Sequence, residues 1–129
     1  MMKMDKITRE WVIQAEFDIE TAEFMFKGGR NFYAVFMCHL SLEKALKGLY
    51  WKKLQDVTPK MHNLIFLINK IGVKPPETLG KFIVKLNEAN IATRYPESLE
   101  KLQKTYTKKI TKEIIANTKE VLAWIKQQL

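Results

Sequence analysis

A chain of 129 residues has room for one hydrophobic core, and with 47% hydrophobic residues, 28% charged residues, 5 Gly and 4 Pro it is neither disordered nor collagen-like. One cysteine, Cys38, and two histidines exclude an intrachain disulfide and a four-ligand Cys/His zinc site. The formal net charge of +8 is uneven, −2 over residues 1–27 against +4 over 28–54 and +4 over 104–129, and it invites a phosphate or nucleic-acid partner as readily as it describes a solvated lysine-rich surface.

The N-terminal MMKMDKITREW lacks the apolar core of a secretory signal, and nowhere do eighteen apolar residues run together, so a cytoplasmic setting is expected. From about Asp5 to Lys27, Ile7, Trp11, Ala15, Ala22, Met25 and Phe26 recur at steps of three or four, the spacing of one helix face, and Gly28-Gly29 closes the run. A second helix should span about Asn31, its expected N-cap, to Leu54, with Ala34, Cys38, Ser41, Ala45 and Leu49 forming a stripe of small residues that permits close helix approach, inside the bundle or across a dimer. A third, shorter helix fits His62 to Ile71 before Gly72. The fourth starts near Pro76 and carries Leu79, Phe82, Ile83, Leu86 and Ile91. Around Ala92 to Leu102 the chain should be irregular or partly helical, because Pro96 disfavours an α conformation at Tyr95. The last helix, about Thr107 to Gln128, sets Ile110, Ile114, Thr118, Val121, Leu122 and Ile125 at helical spacing. Strand-like alternation and repeats are absent, so the expected fold is a single all-α domain over 1–129, an antiparallel up-and-down bundle of four long helices plus a shorter extra one.

Several polar residues interrupt these faces. Glu43 and Lys47 form an i,i+4 pair in the favourable order, either an internal ion pair fixing helix register or the polar lip of a ligand cleft. Asp18 falls on an otherwise apolar face and needs a basic or backbone partner from elsewhere. Cys38 and His39 are neighbours pointing about 100° apart on a helix, so they do not chelate one metal together. His39 and His62 each read as a structural histidine or as a base, and His62 has a structural use, tying its loop to the opening turn of the third helix. In Arg94-Tyr95-Pro96 an Arg fork and a Tyr hydroxyl sit at a proline-stiffened turn, suited to a phosphate or carboxylate; the alternative is that Arg94 pairs with Glu43 or Asp18. Phosphate-binding glycine loops and the common metallohydrolase and nucleophile motifs are missing.

Taken in order, Trp11 with Ala15, Asp18-Ile19 and Ala22, the Phe36 to Lys47 stretch with its Glu43-Lys44-Ala45-Leu46-Lys47 core, Pro59 with His62-Asn63-Leu64, Ala92-Thr93-Arg94-Tyr95-Pro96, and Val121 to Ile125 resemble the HEPN family, the helical domain named for higher eukaryotes and prokaryotes nucleotide-binding, in its minimal prokaryotic single-domain form. The resemblance spans nearly the whole chain. It implies a bundle that homodimerises and is encoded as partner to a minimal nucleotidyltransferase, in pairs related to toxin-antitoxin systems, with a role in binding nucleotide or the transferase's substrate. Many members that look similar are ribonucleases using an Arg followed after four to six residues by His. Here the positions that follow Arg9 hold Gln14, Ala15 and Glu16, those after Arg30 hold Val35, Phe36 and Met37, and those after Arg94 hold Leu99, Glu100 and Lys101.

With that histidine missing, the expected role is a non-catalytic nucleotide- or substrate-binding partner subunit without metal or cofactor. Arg94 with Lys44 or Lys47 would meet phosphate, Tyr95 and His39 would contact base or sugar, and Glu43 with Asp18 would orient the basic groups. The alternatives are an RNA endonuclease toxin and a nonspecific basic nucleic-acid binder, whose affinity would fall steeply with salt.

Overall fold

The computed structural model describes residues 4–129. Six helices occupy them, α1 (Lys6–Lys27), α2 (Asn31–Leu54), α3 (Leu64–Ile71), α4 (Glu77–Arg94), α5 (Leu99–Thr105) and α6 (Lys108–Gln128), with no strand among the described residues. The helix ends follow from local chemistry. Asp5 caps α1 by accepting from the Thr8 backbone N–H at 2.8 Å, and Thr107 caps α6 through the Ile110 N–H. Gly29 and Gly72 take positive φ, 77° and 85°, where a side chain would be strained.

Three expectations about these elements are corrected, and one, the break at Tyr95 in a partly helical stretch, is met. Arg30, not Asn31, occupies the N-cap position of α2, and no side chain caps it. α3 starts at Leu64 with Asn63 as its cap, so His62 lies in the preceding loop. α4 runs through Ala92 to Arg94 and stops at Tyr95, the residue before Pro96, whose ψ of 71° is outside the α region. Beyond it Ser98 caps a second short helix, α5, on which Leu102 is buried.

α2 is the central element and packs against each of the other helices. Ala34, Cys38, Ser41, Ala45 and Leu49 are all fully buried, so the small-residue stripe works inside the bundle. Along it α1 runs antiparallel in close contact: Ser41 Oγ donates to the Ala15 carbonyl at 2.7 Å, and Gly48 lies against Thr8 and Trp11. α6 crosses the other side of α1, where Glu23 pairs with Lys119 at 2.9 Å and Glu16 pairs with Lys126. The core face of α1 is rotated from the expected one. Val12, Ala15, Ile19 and Ala22 are buried, while Ile7 is 46% exposed. Ile91, expected on the apolar face of α4, is 70% exposed.

Candidate functional site

The polar centre of the bundle is the Glu43 carboxylate, nearly inaccessible on α2. Lys47 Nζ, one turn later, donates to Oε2 at 3.1 Å and lies 6.0 Å from the Trp11 ring centroid. The Nδ1 of His62 reaches the same carboxylate from the loop before α3, at 3.0 and 3.1 Å from its two oxygens. A carboxylate only accepts hydrogen bonds, so this contact holds the proton of His62 on Nδ1 and leaves Nε2 as the free ring nitrogen. His62 thus joins its loop to α2 rather than to the opening turn of α3. That turn is held instead by two asparagines: Asn63 Oδ1 accepts from the Phe66 N–H, and Asn87 Oδ1 on α4 accepts from the Leu64 N–H at 2.8 Å.

His39, one turn before Glu43, is buried, with Nε2 3.5 Å from Asn87 Oδ1 and Nδ1 3.8 Å from Glu43, beyond hydrogen-bonding reach. Burial pulls its pKa down to about 4, and the nearby Arg94 and His62 add to the shift, against the opposing Glu43 and Asn87. The ring is therefore neutral in the folded protein at pH 7, whereas in the unfolded chain it titrates near 6.5. The unfolded state then binds more protons between those values, so His39 costs no stability above pH 6.5 and a growing amount as pH falls toward 4, reaching on the order of 3 kcal/mol. Thermal melting from pH 7 to pH 4.5 should show this loss in the wild-type protein and a shallower slope in His39→Gln; equal slopes would refute it.

Arg94 ends α4 with its guanidinium carbon 5.0 Å from the centre of the Phe36 ring. Among the described residues no acid pairs with it: Asp18 is met by Lys44 at 2.9 Å and Glu43 by Lys47 and His62. Arg94 and Tyr95 line an open cleft of about 330 Å³ together with His62, Asn63, Asn87 and Asn90. Behind its wall the Nε of Arg94 and the Oδ1 of Asn90 are inaccessible and have no hydrogen-bond partner among the described residues. Tyr95, 74% exposed, stands at the rim with its ring face available for stacking.

Of the residues singled out in the sequence, Arg94, Tyr95 and His62 share this cleft. Lys44, Lys47, His39, Asp18 and Glu43 do not line it, and each of the two lysines is already engaged by an acid. Asn63, Asn87 and Asn90 complete the wall. Their signal was present in α4, where Asn87, Asn90 and Arg94 stand at i, i+3 and i+7 on one helix face. Among the described residues no three His, Cys, Asp or Glu side chains form a group able to hold a metal ion. No helix among the described residues is long and apolar enough to cross a membrane.

Chemically, the cleft offers a cation with an unused donor, three amide side chains and an imidazole nitrogen. That set suits a planar anion or a phosphate with an attached polar ring.

The same arrangement of helices occurs in solved structures. TT1696 from Thermus thermophilus superposes with a TM-score of 0.82 at 23% identity, over 97% of this chain and all of that one. The archaeal HEPN homologue ST0689 superposes with a TM-score of 0.75 at 26% identity, over 96% of this chain and 98% of that one. A comparison with curated proteins gives no match. The profile of the HEPN domain matches residues 8–128, nearly the whole chain and all but the first two residues of α1. This protein belongs to the HEPN domain family.

Proposed function

We infer that this chain is a non-catalytic nucleotide-binding subunit, which holds the phosphate of a nucleotide on Arg94 and its base or sugar against Tyr95 and the asparagines of the cleft. The observation that carries this reading is that Arg94, with no acid partner among the described residues, shares one open cleft with the exposed ring of Tyr95. A guanidinium free of ion pairs next to an exposed aromatic ring suits a ligand that carries both an anion and a polar ring. Lys44 and Lys47, bound by Asp18 and Glu43, act in this reading as parts of the frame and not as phosphate contacts. The wider setting, a cytoplasmic homodimer working beside a minimal nucleotidyltransferase in a toxin-antitoxin-related pair, is supported by family membership and belongs to the same proposal.

Isothermal titration with a panel of nucleoside mono- and triphosphates tests the site. A single saturable event is expected, weakened by tenfold or more in Arg94→Ala, the value of a charge-assisted hydrogen bond. Because Arg94 holds no ion pair, its melting temperature should barely move. Absence of saturable binding with every nucleotide would refute the reading, as would a lower melting temperature with unchanged affinity.

One observation favours a second reading. The Glu43–His62 pair presents a carboxylate-oriented imidazole in the same cleft as Arg94, a base and a phosphate-binding cation from different helices. An RNA endonuclease built this way would cleave single-stranded RNA and lose activity in both His62→Ala and Arg94→Ala.

A further inference from the structure

α1 leaves one face uncovered. Ile13, Phe17 and Phe24, at 51%, 67% and 74% exposure, form a stripe at steps of four and seven residues, and Glu10 and Glu20 lie on the same face. The basic residues of this helix, Lys6, Arg9 and Lys27, stand beyond both ends of the stripe. Two such exposed phenylalanines in line mark an interaction surface more often than chance decoration.

A separate groove of about 470 Å³ lies between α4 and α6. Its floor is apolar, made by Phe82, Leu86, Ile110 and Ile114, with Tyr106 buried at its base. Lys81 and Lys85 rise on the α4 wall and Glu113 on the α6 wall. Lys81 has a single exposed partner, Glu77 at 3.2 Å, which is a weak surface pair.

The two surfaces match in length, charge and polarity. Ile13 to Phe24 and Thr78 to Ala89 are both eleven-residue steps along a helix, about 16 Å each. Of the stripe's acids, Glu20 can meet Lys85 of the groove, an acidic edge against a basic one. An antiparallel α1–α1 contact between copies is the alternative, and it would leave the groove empty. We propose that the α1 stripe of one copy docks in the α4–α6 groove of the next, a head-to-tail contact independent of the Arg94 cleft. Such a contact uses two different patches, so each copy keeps a free stripe or groove and further copies can add, in a ring or an open chain.

Light scattering of the full chain across a wide concentration range tests this. Wild-type mass should climb past its low-concentration value, and both Phe17→Glu and Ile110→Glu should abolish the climb. Both positions are exposed, and unchanged circular dichroism melts will establish that the variants fold. Mixing the two variants is the decisive arm. One keeps an intact groove and the other an intact stripe, so the mixture should form a complex one step larger that neither forms alone. Lys85→Glu should raise the concentration needed for association by roughly fivefold, and mixing it with Glu20→Lys should recover it. A mass independent of concentration, or a climb that survives Ile110→Glu, or variants that fail to complement, would overturn the proposal. Because no nucleotide enters these measurements, their failure leaves the cleft's reading to its own titration.

Discussion

Glu43→Ala is expected to destabilise the protein by roughly 3–5 kcal/mol, the cost of removing one partner from a buried charge pair. The reason is what stays behind. Lys47, only 8% exposed, would keep its ammonium in the bundle with the Trp11 ring as its remaining close contact, and His62 would lose the acceptor that holds its loop against α2. At about 3 °C per kcal/mol for a domain of this size, the melting temperature should fall by roughly ten degrees. Glu43→Gln should cost less, since its carbonyl oxygen still accepts a hydrogen bond from Lys47 or His62. The double variant Glu43→Ala with Lys47→Met separates the causes. If an unpaired buried cation is the main cost, the second substitution restores much of the lost stability and the two changes are strongly non-additive. Equal melting temperatures for Glu43→Ala and wild type would mean that water or another group already compensates Lys47.

The same carboxylate marks how far the amino-acid sequence could be read. The i,i+4 spacing of Glu43 and Lys47 and the misplaced acid at Asp18 both announced internal ion pairs, because an ionised group on an apolar helix face must find a partner. Lys44 supplies it for Asp18, one helix away. The long helices were legible for similar reasons: a 3.6-residue period, Asp5 and Thr107 as caps, and glycine pairs or prolines at the breaks. What stayed hidden depends on contacts distant in the chain. His62 reaches Glu43 only because the segment after α2 folds back, and nothing local to either residue says so. The rotated face of α1 was hidden for another reason. Thr8 and Asp18 are buried with partners, so the apolar residues alone set the core face a fraction of a turn away from the one centred on Val12, Ala15 and Ile19, although Ala15 and Ala22 lie on both. The cleft combined both difficulties, an arginine whose acid partner does not exist among the described residues and asparagines whose role appears only when α3 and α4 come together.

Two glycines inside helices should respond in opposite directions, and the contrast measures how tightly α1 and α2 are packed. A Cβ built on Gly48 lies 3.0 Å from the Cβ of Trp11 and 3.4 Å from the Thr8 carbonyl oxygen, so α1 would have to move to admit it. A Cβ on Gly80 meets only the Pro75 ring, at 3.8 Å, an ordinary contact. Gly80→Ala should therefore stabilise α4 by about 0.5–1 kcal/mol through helix propensity alone. Gly48→Ala gains the same propensity and loses it again to the Trp11 contact, whereas Gly48→Val adds two branches where one atom is already too many. Overpacking costs typically 1–3 kcal/mol, and here the obstructing atoms belong to the stem of a side chain and the backbone of a neighbouring helix, which yield less than a flexible side-chain tip. Gly48→Val should lie at or above the upper end of that range and lower the melting temperature by about nine degrees or more. Since α1 also carries Asp18, the partner of Lys44, and the carbonyl of Ala15 that receives Ser41, displacing it strains those contacts as well. If Gly48→Val melted within a degree or two of Gly80→Ala, α1 would be free to slide outward, and the small-residue seam of α2 would not be what sets the spacing of these two helices.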